Sequence, residues 1–455
     1  MNEVVPGPFK RLPLGDRSVP LYMLEFGKDG TCLSPQTYDA LVRDVGQAGY
    51  TDVFVCSHGW NNTFDEALTR YENFATGYHA LGQAHDLPQP DRYQPVVVGI
   101  SWPSIDLLLP GEEPPRIAGA ASPDARARMI TELAGEMPVE RAARFAELAR
   151  QDSLSRPDAG TLAGLLASVY PAGADELEGG WQPSADAVMD IWDGLRQAGS
   201  AAAEDGPDGP ESFQAPPVDQ PGGGSGPAQP AGPQAAGWPR LKLDPRDILR
   251  ALTVCKMKDR AGVVGLNGVG PLLAALLDAD PAARFHLTGH SYGCRVMLAA
   301  LCAGALPRPV DSLLLLEPAV NYLCFAGQVP KTGKAGGFRP ALRQVRQPVL
   351  STFSARDAAL HDYFHLAVRR RADLGEARIA ALGQVPSLYC ALGGWGPGGL
   401  DGEGAEILLT AYPDRYDLRP GPVRVYGVRS DGGIGSHSDV VNDFTFWALY
   451  NQVTA

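Results

Sequence analysis

The sequence predicts an α/β fold, a mostly parallel sheet flanked by helices. Three observations predict it. Short runs such as Asp52-Val-Phe-Val-Cys56 and Asp311-Ser-Leu-Leu-Leu-Leu316 are apolar at nearly every position, as strands buried on both faces are. Stretches of helical composition alternate with them, the pattern that crossover connections impose on a parallel sheet. One run, Arg284-Phe-His-Leu-Thr288, leads into Gly289-His-Ser-Tyr-Gly293 and then into an apolar, helix-forming stretch that reaches Leu306.

In chain order, Val19 to Phe26 reads as a strand closed by Gly27 and the Asp29-Gly30 turn. Ser34 and Pro35 suit the N-cap and first position of a helix whose apolar stripe is Leu41, Val42 and Val45. The strand Asp52 to Cys56 runs into the polar loop Ser57-His-Gly-Trp-Asn-Asn-Thr63, and Phe64 to His85 is helical. Pro95 to Pro103 is another buried strand. The alternation then lapses. From Pro110 to about Ala198 the chain offers helical segments, including Val139 to Ala149 and Ala185 to Gln197, with no strand-type run between them. Residues from about 199 to 237 are mostly Gly, Pro, Ala, Gln and Ser. That composition buries too little apolar surface to offset ordering, so a flexible linker is expected.

The alternation resumes at Leu243, with helices over Asp247 to Met257 and Gly268 to Leu277. Asp311 to Leu316, Pro348 to Phe353 and Pro422 to Val428 complete a set of about seven strands. Asp357 to Arg371 and Val440 to Gln452 read as helices. The expected organisation is a first core part over residues 1–109, a lid-like helical insertion over 110–242 and a second core part over 243–455.

A hydrophobic content of 44% with 20% charged residues is that of a soluble globular protein with ample core. The net charge of -13 argues against nucleic acid and against an anionic membrane surface as partners. Arg369, Arg370 and Arg371 read as a solvated helix face. Seven cysteines without C-x-x-C spacing point to free thiols in a reducing compartment, with Cys56, Cys294 and Cys302 inside apolar runs. The first residues lack the basic and apolar regions of a signal peptide. No uninterrupted apolar run reaches the roughly 18 residues of a membrane span. A cytoplasmic location is therefore expected, with no transmembrane segment. Gly265-Leu-Asn-Gly-Val-Gly-Pro has neither Walker nor dinucleotide spacing, and no His, Cys or carboxylate cluster has zinc spacing. No cofactor and no metal are expected.

The pentapeptide at 289–293 has G-x-S-x-G spacing between a strand and a helix, the setting in which a serine becomes a nucleophile. Acyl transfer by Ser291 needs a base, an acid that orients it, and donors for an oxyanion. Three histidines follow Ser291. His361 and His365 fall in a predicted helix, whereas His437 lies in the Gly-rich loop after the last strand, from which it can reach back over the sheet. Asp357, just beyond the strand ending at Phe353, is the expected acid, and Glu317, at the end of the preceding strand, is the alternative. Oxyanion donors are expected from the backbone of Tyr292 and of Trp60, with Gly59 letting the loop turn and His58 bracing it.

Val53 to Thr63, Ser101-Trp-Pro-Ser104, the pentapeptide, Asp357 and His437 together resemble the α/β-hydrolase superfamily. The closest likeness is to a bacterial branch with H-G-[aromatic]-N and S-W-P-S signatures. The resemblance covers residues 19–109 and 243–455 and implies the α/β-hydrolase fold with a Ser-Asp-His triad. The long helical and low-complexity insertion departs from it, replacing or enlarging the usual lid. The function expected is hydrolysis of a small-molecule or lipid carboxylic ester, the lipid being suggested by the apolar helices of the insertion. A peptidase or amidase would use the same residues, and a non-catalytic binding protein could keep the same fold. The sequence carries no signal for an oligomeric state.

Overall fold

The computed structural model describes residues 6–104 apart from 61, 90 and 91; parts of 127–193 without 170–183; and 244–455 apart from 331, 365–387 and 420. The expected linker at 199–237, His365 and the arginines at 369–371 lie outside the described residues. Of the helix expected over 185–197, only part of its first nine positions is described.

Nine described strands form one mixed, mostly parallel sheet: β1 (Lys10–Leu14), β2 (Arg17–Glu25), β3 (Asp52–Ser57), β4 (Pro95–Ser101), β5 (Arg284–His290), β6 (Ser312–Leu316), β7 (Val349–Phe353), β8 (Gly404–Leu408) and β9 (Val425–Arg429). Their spatial order is β1-β2-β4-β3-β5-β6-β7-β9-β8. Only the β1–β2 pair is antiparallel. The seven strands expected from apolar runs are all present, and the two not foreseen are the two edges. An edge strand is covered on fewer sides and needs no continuous apolar run. Accordingly β1 carries Lys10, Arg11 and Pro13, and β8 has no buried residue, with Glu406 and Leu408 exposed.

Helices cover both faces. The strand period of two sorts side chains between them. In β3, Val53 and Val55 join one buried cluster while Phe54 and Cys56 join the other; in β6, Leu313 and Leu315 oppose Leu314 and Leu316 in the same way. The first face receives α1 (Pro35–Gln47), α3 (Val139–Ala149), α4 (Arg156–Ala167), α5 (Pro245–Val264), α6 (Gly270–Ala279) and α7 (Tyr292–Leu301). The second receives α2 (Phe64–Ala84) and α8 (Asp443–Val453). A reciprocal box between Thr63 and Glu66 starts α2, and Asn442 caps α8, each contributing about 1 kcal/mol. Ser34 does not cap α1; its hydroxyl accepts from the Glu25 amide at 3.0 Å and ties the helix start to β2 instead.

The helices expected over 247–257 and 268–277 are one continuous helical run, because a π-turn at Gly265–Val269 joins α5 to α6. Gly265 and Gly268 are close-packing positions in this run. A methyl group on Gly265 would strike Val296 and Ala299 of α7, and one on Gly268 would strike Phe26. Part of this run, Lys256–Ala279, has the length and mean hydropathy, 1.5, of a membrane-crossing helix, but 61% of that window is buried inside the protein. Of the helix expected over Asp357 to Arg371, the described portion is a π-turn at Ala359–Tyr363.

One buried polar cluster lies at the amino ends of the strands. Asp52 accepts from Arg284 at 2.6 Å and from His286 Nε2 at 3.1 Å, and His286 Nδ1 meets Ser312 Oγ at 2.8 Å. Burial alone would push the Asp52 pKa up. The hydrogen bonds from His286 and Thr51 and the charge of Arg284 outweigh it and hold the carboxylate below its ordinary range.

Candidate active site

Ser291 is the single residue between β5 and α7, with φ 55° and ψ −123°. A positive φ on a residue with a side chain costs of order 1–3 kcal/mol and persists only where the surroundings dictate it. Here they do. The Ser291 amide donates to the Leu316 carbonyl at 3.0 Å, and its own carbonyl accepts from Cys294 at 3.1 Å and Ala319 at 3.3 Å. The flanking glycines permit the turn sterically. A methyl group on Gly289 would lie 2.6 Å from the Cys294 amide nitrogen, and one on Gly293 would collide with the carbonyls of Ser57 and His58.

Those two carbonyls begin the loop after β3. His58 is fully buried, and both ring nitrogens are committed. Nδ1–H donates to the Gly59 carbonyl at 2.8 Å, and Nε2 accepts from the Trp102 amide at 3.2 Å. Burial pushes its pKa down to about 4, so the ring is neutral near pH 7. Trp102 stacks on this ring with centroids 5.4 Å apart and returns its indole N–H to the His58 carbonyl at 3.1 Å. Ser104 Oγ accepts from the Asn62 amide and donates to the Asn62 carbonyl, both at 3.1 Å. His58, Gly59, Trp60 and Asn62 are thus joined with Trp102 and Ser104 in one hydrogen-bonded unit. Tyr71 of α2 accepts from the His58 amide and donates to the Ile100 carbonyl, each at 2.7 Å, fastening the unit to β4. The unit presses on the serine turn: a methyl group on Gly59 would sit 2.6 Å from Ser291 Cβ. The Trp60 ring lies 6.4 Å from that of Tyr292.

Asp357 follows β7 and is fully buried. Its Oδ2 accepts from His437 Nδ1–H at 2.6 Å and its Oδ1 from the Leu360 amide at 3.0 Å. His437 comes from the loop between β9 and α8, whose bends are held by Ser354 Oγ on the Ile434 carbonyl and Asn442 on the Gly433 carbonyl. With Nδ1 on the carboxylate, Nε2 is the nitrogen through which this ring can exchange a proton. Ser291, Asp357 and His437 all lie beyond the carboxyl ends of parallel strands. Besides the bond from its ring to Asp357, the His437 carbonyl accepts from His290 Nε2 at 2.7 Å.

Glu317, the alternative acid, does not reach the His437 ring by a described hydrogen bond. It ends β6 at φ 43°, fully buried, with Oε1 accepting from Ser430 Oγ at 3.0 Å and Oε2 without a partner. Burial, and next the charge of Asp357, push its pKa well above the carboxylate range. Of the two carboxyls, Asp357 is the one hydrogen-bonded to the His437 ring.

Sequence reasoning missed Trp102 and Ser104 as braces of the loop after β3, Ser430 as the partner of Glu317, and His290. A signal for His290 existed. Phe285 and Leu287 belong to the first face of the sheet, so the period of two sends His290 to the other, toward α8 and the loop that carries His437. Among the described residues no group of three His, Cys, Asp or Glu is placed to hold a metal ion. No family model, curated protein or solved structure matches the chain.

Proposed function

We propose that the chain is a serine hydrolase of the α/β-hydrolase fold that cleaves a carboxylic ester. The observation that carries the reading is the 2.6 Å bond between His437 Nδ1 and Asp357, formed beyond the same sheet edge as the strained turn at Ser291. The order Ser, Asp, His along the chain agrees with it. In this reading Ser291 Oγ attacks the ester carbonyl while its proton passes to His437 Nε2. Asp357 holds the ring in the required tautomer and offsets the imidazolium charge. Amides of Tyr292 and Trp60 donate to the tetrahedral oxyanion, and the N-terminus of α7 adds a favourable dipole. Collapse of that intermediate breaks the ester C–O bond, and the departing alkoxide takes the proton from His437. Water then enters by the same steps in reverse and frees the acid and Ser291.

The described helices of the insertion turn Phe145, Leu148, Leu162 and Leu166 into the core, so they supply no argument for a lipid substrate. The proposal therefore stops at a carboxylic ester. A fluorophosphonate probe is expected to label the wild type and not S291A, and labelling that survives the substitution refutes the assignment. Turnover of amides in place of esters would mark an amidase, and a folded wild type inert to the probe would mark a non-catalytic binding protein.

A further inference from the structure

We propose that His290 is a positioning residue that fixes the His437 imidazole relative to Ser291. The inference rests on the reading of Ser291 and His437 given above. His290 is the last residue of β5, adjacent to Ser291, and is buried. Its Nε2 lies 2.7 Å from the carbonyl oxygen of His437, and the two rings are 4.9 Å apart. A carbonyl can only accept, so Nε2 carries the hydrogen. Burial first, and then the charges of Arg70 and His437, keep the His290 pKa well below its ordinary value, in agreement with a neutral ring.

The other nitrogen explains why this is a positioning device and not ordinary filling. His290 Nδ1 is buried without a hydrogen-bond partner and faces Gly59, where a methyl group would stand 3.0 Å away. Leaving a polar atom unsatisfied is unfavourable, and an apolar side chain at 290 would avoid it. What an apolar side chain cannot supply is the N–H that holds the His437 carbonyl. That carbonyl belongs to a loop with Gly432, Gly433 and Gly435 just before it, whose backbone has wide conformational freedom. Asp357 fixes the ring at one end, and His290 ties its backbone to the neighbour of Ser291 at the other. Displacement of a reacting group by about 1 Å can cost about 100-fold in rate. The clamp opposes such a displacement.

Three variants and two readouts test this. The amide nitrogen of H290Q can occupy the place of Nε2, that of H290N reaches only to the place of Nδ1, and H290L keeps bulk without a donor. The first readout is the rate of inactivation by the fluorophosphonate probe. H290N and H290L are expected to react about 30- to 100-fold more slowly than the wild type at an unchanged half-saturating probe concentration, with H290Q restored to within about fivefold. The second is the low-field proton resonance of His437 Nδ1–H, expected in the wild type and H290Q and broadened away in H290N and H290L. If H290N does not fold, H290L carries the same comparison. Equal inactivation rates, or a resonance indifferent to all three substitutions, would overturn the proposal. A wild type that never reacts would refute the hydrolase reading alone, and the resonance would still decide whether His290 holds His437.

Discussion

Protonation of His58 should make the protein acid-sensitive by a calculable amount. In the unfolded chain this ring titrates at its ordinary 6.5, and in the folded protein burial holds the value down to about 4. Above pH 6.5 the ring is neutral in both states and contributes no pH dependence. Between pH 6.5 and about 4 the unfolded state binds a proton that the folded state refuses, so stability falls as pH falls. At about 1.4 kcal/mol for each pH unit between the two values, the loss totals about 3 kcal/mol. H58Q removes the titration, and its side-chain oxygen can still accept from the Trp102 amide, as Nε2 does at 3.2 Å. Urea denaturation from pH 7.5 to 4 should therefore show a shallower pH dependence in H58Q than in the wild type, whatever its absolute stability. Other groups titrate alike in both proteins and cancel in the difference. Parallel stability curves would show that His58 is not held neutral by burial, and the rigid loop inferred from its two hydrogen bonds would lose its support.

Other outcomes follow from the same geometry. D357N should lower ester turnover by about 10³- to 10⁴-fold, since it disturbs the tautomer of His437, whereas E317Q should stay within about tenfold of the wild type. Equal losses would show that Glu317 shares the acid's role. E317Q should also remove a loss of stability above pH 4.5, because the unfolded chain releases a proton there that buried Glu317 retains; denaturation at pH 5 and 8 reads this directly. G59A places a methyl group 2.6 Å from Ser291 Cβ and should slow probe labelling at least tenfold, with a lower melting temperature. Normal labelling of folded G59A would mean that the loop is free to withdraw from the serine turn.

The interior of the fold was legible in the sequence, and its rims were not. Strands β2 to β7 and β9 announce themselves because burial on two faces demands uninterrupted apolar runs such as Ser312–Leu316. Lys10–Leu14 and Gly404–Leu408 are strands only because a neighbour offers them a free edge, which is information about the partner. Two helices are expected from the sequence where the structure has one continuous run, and the glycines at 265, 268 and 270 inside that run mark the approach of α7 and Phe26. In the candidate site, order and strand ends led to Ser291, Asp357 and His437. The choice between Asp357 and Glu317 depends on which carboxyl is partnered, a property of the folded interior. His290 occupied the variable position of a familiar spacing, where its identity carries no message until the loop of His437 is known.

The polar cluster under the sheet bears on how reactive sites are recognised. Asp52, His286 and Ser312 repeat the side-chain types of Ser291, Asp357 and His437 and are hydrogen-bonded in series. A parallel sheet with crossover helices has unlike rims. Helices begin beyond the carboxyl ends of the strands, so positive dipole ends gather there and negative ones gather at the opposite rim. An alkoxide at Ser312 would form among carbonyl ends, on a residue of ordinary strand geometry. The cluster instead laces together the starts of β3, β5 and β6. A search by side-chain type alone finds this set of residues twice in the chain, and the direction of the sheet and the twist of the Ser291 backbone separate a candidate for reactivity from a rivet.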